Sequence, residues 1–509
     1  MNQSSQTVRL ASGPLISPSS VHILHLNIFS KRKGSSLALP IEYCETIMIY
    51  VVVGGGIAGV SCITRLLESL DESHRVILIS ASRIVKTVSH YERIGRCSER
   101  FEVNECEMTS DNPRFVFIHG KVCHWNHKEK VLFINGRDGP VKYDKLCIAT
   151  GAQPYAPFSS EKVLTIRDTE SAVELQRRLK NVGHVAVVGN GGIATEVVFE
   201  MRGIEITWII RNDSVSSVFF DADIAKFFQC RLESGRKEGE KNACVLKRLR
   251  YMVDDSLGTR DVESLPGCAL GPDWTSSVSF NCNSKGRSLN IIRSVEVHEV
   301  TDRKDKVILL LSNGREIQCD LVIWATGVFP TTSIWKDSCE ELRTSAADGG
   351  ILVDDHMCTS LPDVYACGDV CTVSWSFPST IWKQMRLWTQ ARQMGEYCAR
   401  SMVADGRLDV DFCFELFTHT TSFFGYKVVF LGDFKGERQP EGWYTIDRII
   451  EENQFVRCIM YDHRVVGAVL IGETDLEETV ENLILNKTDL EKIEQDFLDP
   501  QIDIEDYFD

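Results

Sequence analysis

What this 509-residue chain lacks already excludes several classes of protein. No apolar run approaches the ~18 residues a membrane-spanning helix needs, so no membrane role is expected; mean hydropathy is −0.11. Positive charge is in deficit. Lys and Arg total 56 against 72 Asp and Glu, a net charge of −16, so no direct nucleic-acid contact is expected of the surface as a whole. There are 18 cysteines, yet no two are separated by two residues or by four. That removes the C-x-x-C redox and zinc motifs, and the cysteines read as reduced, buried, small apolar side chains. No Asp or Glu precedes Glu42, whereas Arg9, Lys31, Arg32, Lys33 and many serines do. Such a composition suits a transit peptide, but a disordered extension, or a start assigned upstream of Met48, is the simpler reading of residues 1–46. The expected location is cytoplasmic and nuclear rather than mitochondrial.

What is present is organised by two glycine-rich loops. The first is Gly54, Gly55, Gly56, Ile57, Ala58 and Gly59, directly after the apolar run from Ile47 to Val53. The second is Gly189, Asn190, Gly191, Gly192, Ile193 and Ala194, directly after Val185 to Val188. Each follows a β-branched strand and opens a helix of small residues, the context in which such a loop binds a dinucleotide. The glycines let the backbone approach a pyrophosphate, and the helix N-terminus aims free N–H groups at its charge. One loop is a weak signal. Two suggest two dinucleotides, most simply a flavin and a nicotinamide.

Hydrophobic periodicity predicts a helix over Ile57 to Leu70 and a strand over Val76 to Ile79. A β-meander is expected over 115 to 147, ending in Ala149, Thr150 and Gly151. The second unit continues with a strand over Ile206 to Ile210 and a helix over Asp221 to Leu232. Residues 233–290 are too charged, too rich in Ser and Gly and too long for an ordinary loop, and read as an insertion with an ordered patch at Leu270 to Trp274. Strands resume to Ala325, Thr326 and Gly327. Gly368 and Asp369 follow, then a helix over Trp382 to Met402, a strand-rich segment over 412–472, a helix over Glu473 to Asn486 and an acidic tail over 488–509.

The order of these motifs resembles the pyridine nucleotide-disulfide oxidoreductases, flavoproteins that bind two dinucleotides. The resemblance implies an α/β fold with two Rossmann-like domains, one for FAD and one for NAD(P)H, the second inserted in the first, plus a C-terminal α+β domain. The expected boundaries are 47–155 and 326–405 for FAD, 156–325 for NADH or NADPH, 406–487 for the third domain and 488–509 for the tail. Gly54, Gly56 and Gly59 would hold the FAD pyrophosphate, and Gly189, Gly191 and Ala194 that of the nicotinamide dinucleotide. Asp369 would meet the ribityl or pyrophosphate region, and Glu196 the nicotinamide side of the flavin. The two Ala-Thr-Gly turns would be crossovers between domains. The resemblance further implies a link to oxidative stress and a protein partner, the tRNA ligase complex.

Three departures qualify the resemblance. The disulfide-reducing members carry a cysteine pair on the helix after the first unit, but Ser80 to Arg96 holds no cysteine, and Cys97 has no partner at that spacing. Thiol exchange needs such a partner, so the expected activity is NAD(P)H oxidation through FAD without an internal disulfide. The acid expected on the flavin ribose is Ser80. The matching acid of the second unit is Ile210, followed by Arg211; loss of a carboxylate and gain of a guanidinium favour a 2′-phosphate.

Smaller signals complete the candidate set. Lys86 stands where a basic residue approaches the flavin in related proteins, with a solvated helix lysine as the alternative. Trp388 and Arg386 belong to the helix after Gly368 and Asp369, whose dipole can stabilise negative charge. Lys86, Glu196 and Trp388 are thus the candidate catalytic residues. Cys367 and Cys371 are two thiols near the predicted flavin, at no standard disulfide spacing. His124 and His127, with Cys123, fall at a turn without a fourth ligand in view, so no metal is expected.

Overall fold

The computed structural model describes residues 47–109, 112–236, 274, 280, 286–375, 379–450 and 452–499. The expectations for residues 1–46, for most of the insertion and for the last ten residues lie outside them. Three sheets carry the structure. In the first, five parallel strands run in the order Val364–Ala366, Lys145–Ile148, Ile49–Val53, Arg75–Ser80 and Phe115–His119. The core strands are apolar throughout, as strands covered on both faces must be. Helix α1 (Ile57–Ser69) leaves the tip of Ile49–Val53.

The second sheet repeats the design. Its parallel order is Val163–Leu164, Leu321–Trp324, His184–Val188, Glu205–Ile209 and Ser288–Ile292. Helix α2 (Thr169–Leu179) precedes His184–Val188 and α3 (Gly192–Glu200) follows it. The Val364–Ala366 strand pairs with Lys145–Ile148, so the whole second unit is inserted in the first. The two are joined by a short antiparallel ribbon of Ala152–Pro154 against Val328–Pro330, built on the two Ala-Thr-Gly turns. The third sheet is antiparallel, in the order Thr418–Phe423, Tyr426–Gly432, Arg464–Ile471, Gln454–Tyr461 and Tyr444–Ile450.

Several local expectations give way. Residues 115–147 are not one meander. Phe115–His119 and Lys145–Ile148 join the parallel sheet, and only Val122–Asn126, Val131–Ile134 and Val141–Lys142 pair antiparallel; short apolar runs do not reveal their pairing. The helix over 221–232 breaks into α4 (Ala222–Phe227) and α5 (Gln229–Ser234) at Phe228, which is buried among Phe220 and Phe424. A six-residue helix, α6 (Ser333–Ser338), follows the ribbon. The helix expected from Trp382 starts only at Trp388, as α7 (Trp388–Val403). Gln390 holds the preceding segment extended: its Oε1 accepts from Met385 N at 2.7 Å and its Nε2 donates to Lys383 O at 2.7 Å. Helix α8 (Glu477–Asn486) is shorter than expected. The start of the acidic tail is packed rather than loose, with Leu490, Phe497 and Leu498 buried beneath the third sheet. No helix among the described residues is long and apolar enough to cross a membrane.

Helices α1 and α7 pack closely because Gly395 has no side chain. A Cβ there would lie 2.2 Å from the carbonyl oxygen of Ala58, inside the first glycine loop. Substituting Gly395→Ala must push the helices apart, at about 1–3 kcal/mol. We expect a lower denaturant midpoint together with a lower flavin-to-protein absorbance ratio in the purified variant. An unchanged ratio would show that this contact does not shape the loop.

Candidate functional site

Both glycine loops are built the same way. Gly54, at φ 128°, donates its N–H to Ile79 O at 2.8 Å, and a Cβ on it would strike Ala149 O at 2.0 Å. Gly189, at φ 130°, donates to Ile209 O at 3.1 Å, and a Cβ would strike Ala325 O at 2.1 Å. Each loop is therefore pressed against its own Ala-Thr-Gly turn. Helices α1 and α3 then start at Gly56 and Gly191 with no side-chain cap and no acid in the first turn. By contrast, Asp168 and Asp221 cap α2 and α4. The orphan N–H groups of α1 and α3 are left facing a common cleft, the arrangement that receives a phosphate anion.

The cleft has a volume of about 1160 Å³, enough for an extended cofactor and its partner ring. It is lined by Gly54 to Ala58, Ser80, Ala149 to Gly151, Gly189 to Ile193, Glu196, Arg211, Thr326, Gly327, Asp369 and Trp388. The remaining candidates stand behind this wall. Gly59 lets the loop close, since a Cβ there would meet Gly54 O at 1.9 Å. Ala194 is fully buried, and Gly368, at φ 74°, makes room for Ala58. Lys86 is on a strand, Ile84–Arg93, not a solvated helix. It is buried, and its ammonium is bound to Glu105, which also accepts from Thr169 Oγ1 at 2.5 Å. Lys86 is not among the residues that line the cleft, but its backbone N–H donates to Gly55 O of the first glycine loop at 3.1 Å.

Some lining side chains are already engaged by the protein. Asn190 Nδ2 donates to Ser214 O at 2.9 Å and Ser217 Oγ at 2.8 Å, and its Oδ1 accepts from Ser216 N at 2.6 Å. It thus braces the loop that follows Arg211. The Thr150 hydroxyl donates to Thr331 O at 2.9 Å, and that of Thr326 accepts from Trp324 Nε1 at 2.8 Å. Ser80 Oγ accepts from Ser82 N at 3.2 Å. Arg211 is different: it is exposed at the cleft edge and makes no ion pair among the described residues.

The titratable groups of the cleft are shifted by burial. The Glu196 carboxyl is raised to about 8 by burial and by nearby Glu200, against a hydrogen bond from Trp274 Nε1. Trp274 lies in the patch expected to be ordered. Burial raises Asp369 to about 6, against the pull of Arg386. Arg386 also fixes that turn, donating to Asp369 O at 2.9 Å and to Asp348 Oδ2 at 2.7 Å. The third sheet contributes a residue that sequence reasoning missed. His419 is buried, and burial lowers it to about 3, so it is neutral. Its Nδ1 is 3.1 Å from Thr389 Oγ1, and its ring centroid is 6.1 Å from that of Trp388. Only the β-alternation of 418–423, which sends His419, Thr421 and Phe423 to one face, could have pointed to it.

At the cleft wall and behind it lie buried thiols, with Cys367 among the lining residues. Cys147 Sγ is 3.5 Å from Cys367 Sγ and 3.6 Å from Cys398 Sγ, with Cys62 beside them. The thiols of Cys367, through its contact with Cys147, and of Cys371, through burial, are held well above the ordinary range. Thiols so protonated are poor nucleophiles.

Comparison with known proteins fits this geometry. The family model described as pyridine nucleotide-disulphide oxidoreductase matches residues 48–235 and 281–395. The Mus musculus protein named pyridine nucleotide-disulfide oxidoreductase domain-containing protein 1 is 39% identical over 501 residues, covering 90% of this chain and 98% of its own length. Its Danio rerio namesake is 40% identical over 502 residues, covering 94% and 100%. Among solved structures, a ferredoxin reductase from Rhodopseudomonas palustris aligns with a TM-score of 0.63 at 16% identity, over 90% of this chain and 99% of the other. A water-forming NADH oxidase from Lactobacillus brevis, bound to NADH, aligns at 0.60 and 16%, over 88% and 92%. At that identity the structures speak for the fold alone. The chain belongs to the pyridine nucleotide-disulphide oxidoreductase family, flavoproteins that bind FAD and NAD(P)H.

Proposed function

We propose that this protein is an NAD(P)H oxidoreductase that carries electrons from the nicotinamide to FAD and onward without an internal disulfide. The observation that carries the reading is the single cleft onto which both uncapped glycine-loop helices open. When bound, the two cofactors supply hydride transfer between their rings. The chain's own part is positional and electrostatic. The α1 and α3 N-termini hold the two pyrophosphates. Trp388 and neutral His419 close the far wall and exclude water. Glu196, protonated below about pH 8, presents an uncharged hydrogen-bonding face. Arg211 selects the 2′-phosphate of NADPH.

A second reading draws on the missing cysteine pair and on the thiols of Cys367 and Cys371, which are held protonated. In it, a nicotinamide-loaded flavoprotein shields a partner, the tRNA ligase complex, from oxidative stress in cytoplasm and nucleus.

Anaerobic titration of the FAD-loaded protein tests the first reading. NADPH should bleach the oxidised flavin, and Arg211→Ala should raise the NADPH concentration required by about 10–100-fold, as loss of a charged hydrogen bond costs about 1.5–3 kcal/mol, while leaving NADH unaffected. Absence of bleaching with either nucleotide would overturn it. For the second reading, affinity capture on the tagged full chain should retain the ligase complex with NADPH and release it without; equal capture in both arms would refute it.

Glu196 also makes stability depend on pH. Between its ordinary value of 4.5 and about 8 the folded protein holds a proton that the unfolded chain has lost. Stability therefore falls as pH rises through this window, and the penalty is complete above it. Glu196→Gln removes the penalty. Its denaturant midpoint should match wild type near pH 4.5, exceed it increasingly up to pH 8 and then run parallel. Parallel curves throughout would mean that the carboxyl ionises normally.

A further inference from the structure

His127, grouped in the sequence with His124 and Cys123 but without a fourth ligand, is brought by the fold to other partners. It lies in the turn between strands Val122–Asn126 and Val131–Ile134. Cys339 caps the C-terminus of α6, and Glu341 follows it. Helix α6 docks on this hairpin: the Trp335 and Trp125 rings meet edge-on at 5.4 Å, and the Trp125 ring lies 5.7 Å from that of His127. As a result His127 Nε2 is 3.9 Å from Glu341 Oε2, and Cys339 Sγ is 3.3 Å from the same oxygen. One ligand atom from each of the three residues lies within 4.8 Å of the others. Neighbouring ligands of a tetrahedral zinc, with bonds of ~2.0 Å to N and O and ~2.3 Å to S, stand roughly 3.3–3.7 Å apart.

We propose that His127 Nε2, Cys339 Sγ and the Glu341 carboxylate form a zinc site, with a fourth position open to solvent. The ligand set combines a soft thiolate, an imidazole and a hard carboxylate, which suits Zn²⁺. Charge supports it too. One thiolate and one carboxylate neutralise the ion; the Cys339 S–H, which now donates a hydrogen bond to Glu341, gives its proton to solvent on binding. The other thiol cluster, Cys62, Cys147 and Cys398, is fully buried; three thiolates around Zn²⁺ would leave a net negative charge in an apolar core, at heavy desolvation cost. The competing cation at the surface site is Lys128, whose Nζ is 3.5 Å from Glu341 Oε1; its side chain is 75% exposed and can swing away. The ion would clip the hairpin of the first unit to the segment that follows the inserted unit. Helix α6 also carries Trp335, which donates to Thr150 of the cleft at 3.2 Å, so the clip would steady one wall of the cleft.

The test uses the full chain, stripped with chelator and kept reduced, titrated with Co²⁺ and then with Zn²⁺ in competition. We expect one equivalent of cobalt, with a thiolate-to-cobalt absorption band that Zn²⁺ erases. Cys339→Ser should lose the band, and His127→Ala and Glu341→Gln should each weaken binding about tenfold or more. Cys339 is buried, so the two more exposed variants keep the test decisive if Cys339→Ser misfolds. No band in wild type, or equal affinity in His127→Ala and Glu341→Gln, would overturn the site and move any bound metal to the remaining thiols.

Discussion

The contact on which everything else depends is the one between a glycine and a carbonyl oxygen. Gly54 lies against Ala149, and Gly189 against Ala325, each so close that a methyl group has no space. This contact ties the tip of the strand before each loop, Ile49–Val53 or His184–Val188, to the end of its parallel neighbour, Lys145–Ile148 or Leu321–Trp324. It aims the following helix at the cleft and starts the ribbon of Ala152–Pro154 and Val328–Pro330 from a defined point. The two units thereby share one opening rather than having one each. A loop without its turn, or a turn without its loop, would leave neither helix N-terminus facing a ligand.

Around that frame the cleft combines anion-attracting ends with titratable groups that burial holds neutral. Two uncapped helix ends and Arg211 provide positive potential for phosphates. Near the predicted meeting place of the two rings, burial keeps Glu196 protonated and His419 neutral. The low dielectric that makes charge costly there also magnifies any dipole aimed at it. Asp369 is the intermediate case, its carboxyl raised by burial and countered by an arginine whose own position is fixed by Asp348.

The doubly wound architecture and both loops were legible because they are local: a β-branched run, a glycine signature, a helix of small residues. The turns were legible because Ala-Thr-Gly recurs in order. What escaped was set by partners distant in sequence. Lys86 reads as a residue near the flavin or, alternatively, as a solvated helix lysine, but it lies on a strand with Glu105 as its partner. His419 has no motif around it, and only the return of the third sheet to the cleft gives it a role. The late start of α7 is dictated by two hydrogen bonds from Gln390 back to the preceding segment, which no propensity encodes. Asn190 lines the cleft as its place in the loop suggests, but its side-chain amide also holds residues 214–217, which the sequence did not reveal.

The tight seat of Gly395 on Ala58 has a further consequence for biosynthesis. Those two residues stand on opposite sides of the entire inserted unit, so during translation α1 emerges long before the helix that must cover it. Chains elongate at about 5–20 residues per second, which leaves the inserted unit time to complete its own sheet while the first remains open at one edge. The first glycine loop is therefore the later of the two to be enclosed, and the nascent chain must keep the exposed face of α1 from other apolar surfaces until α7 leaves the ribosome.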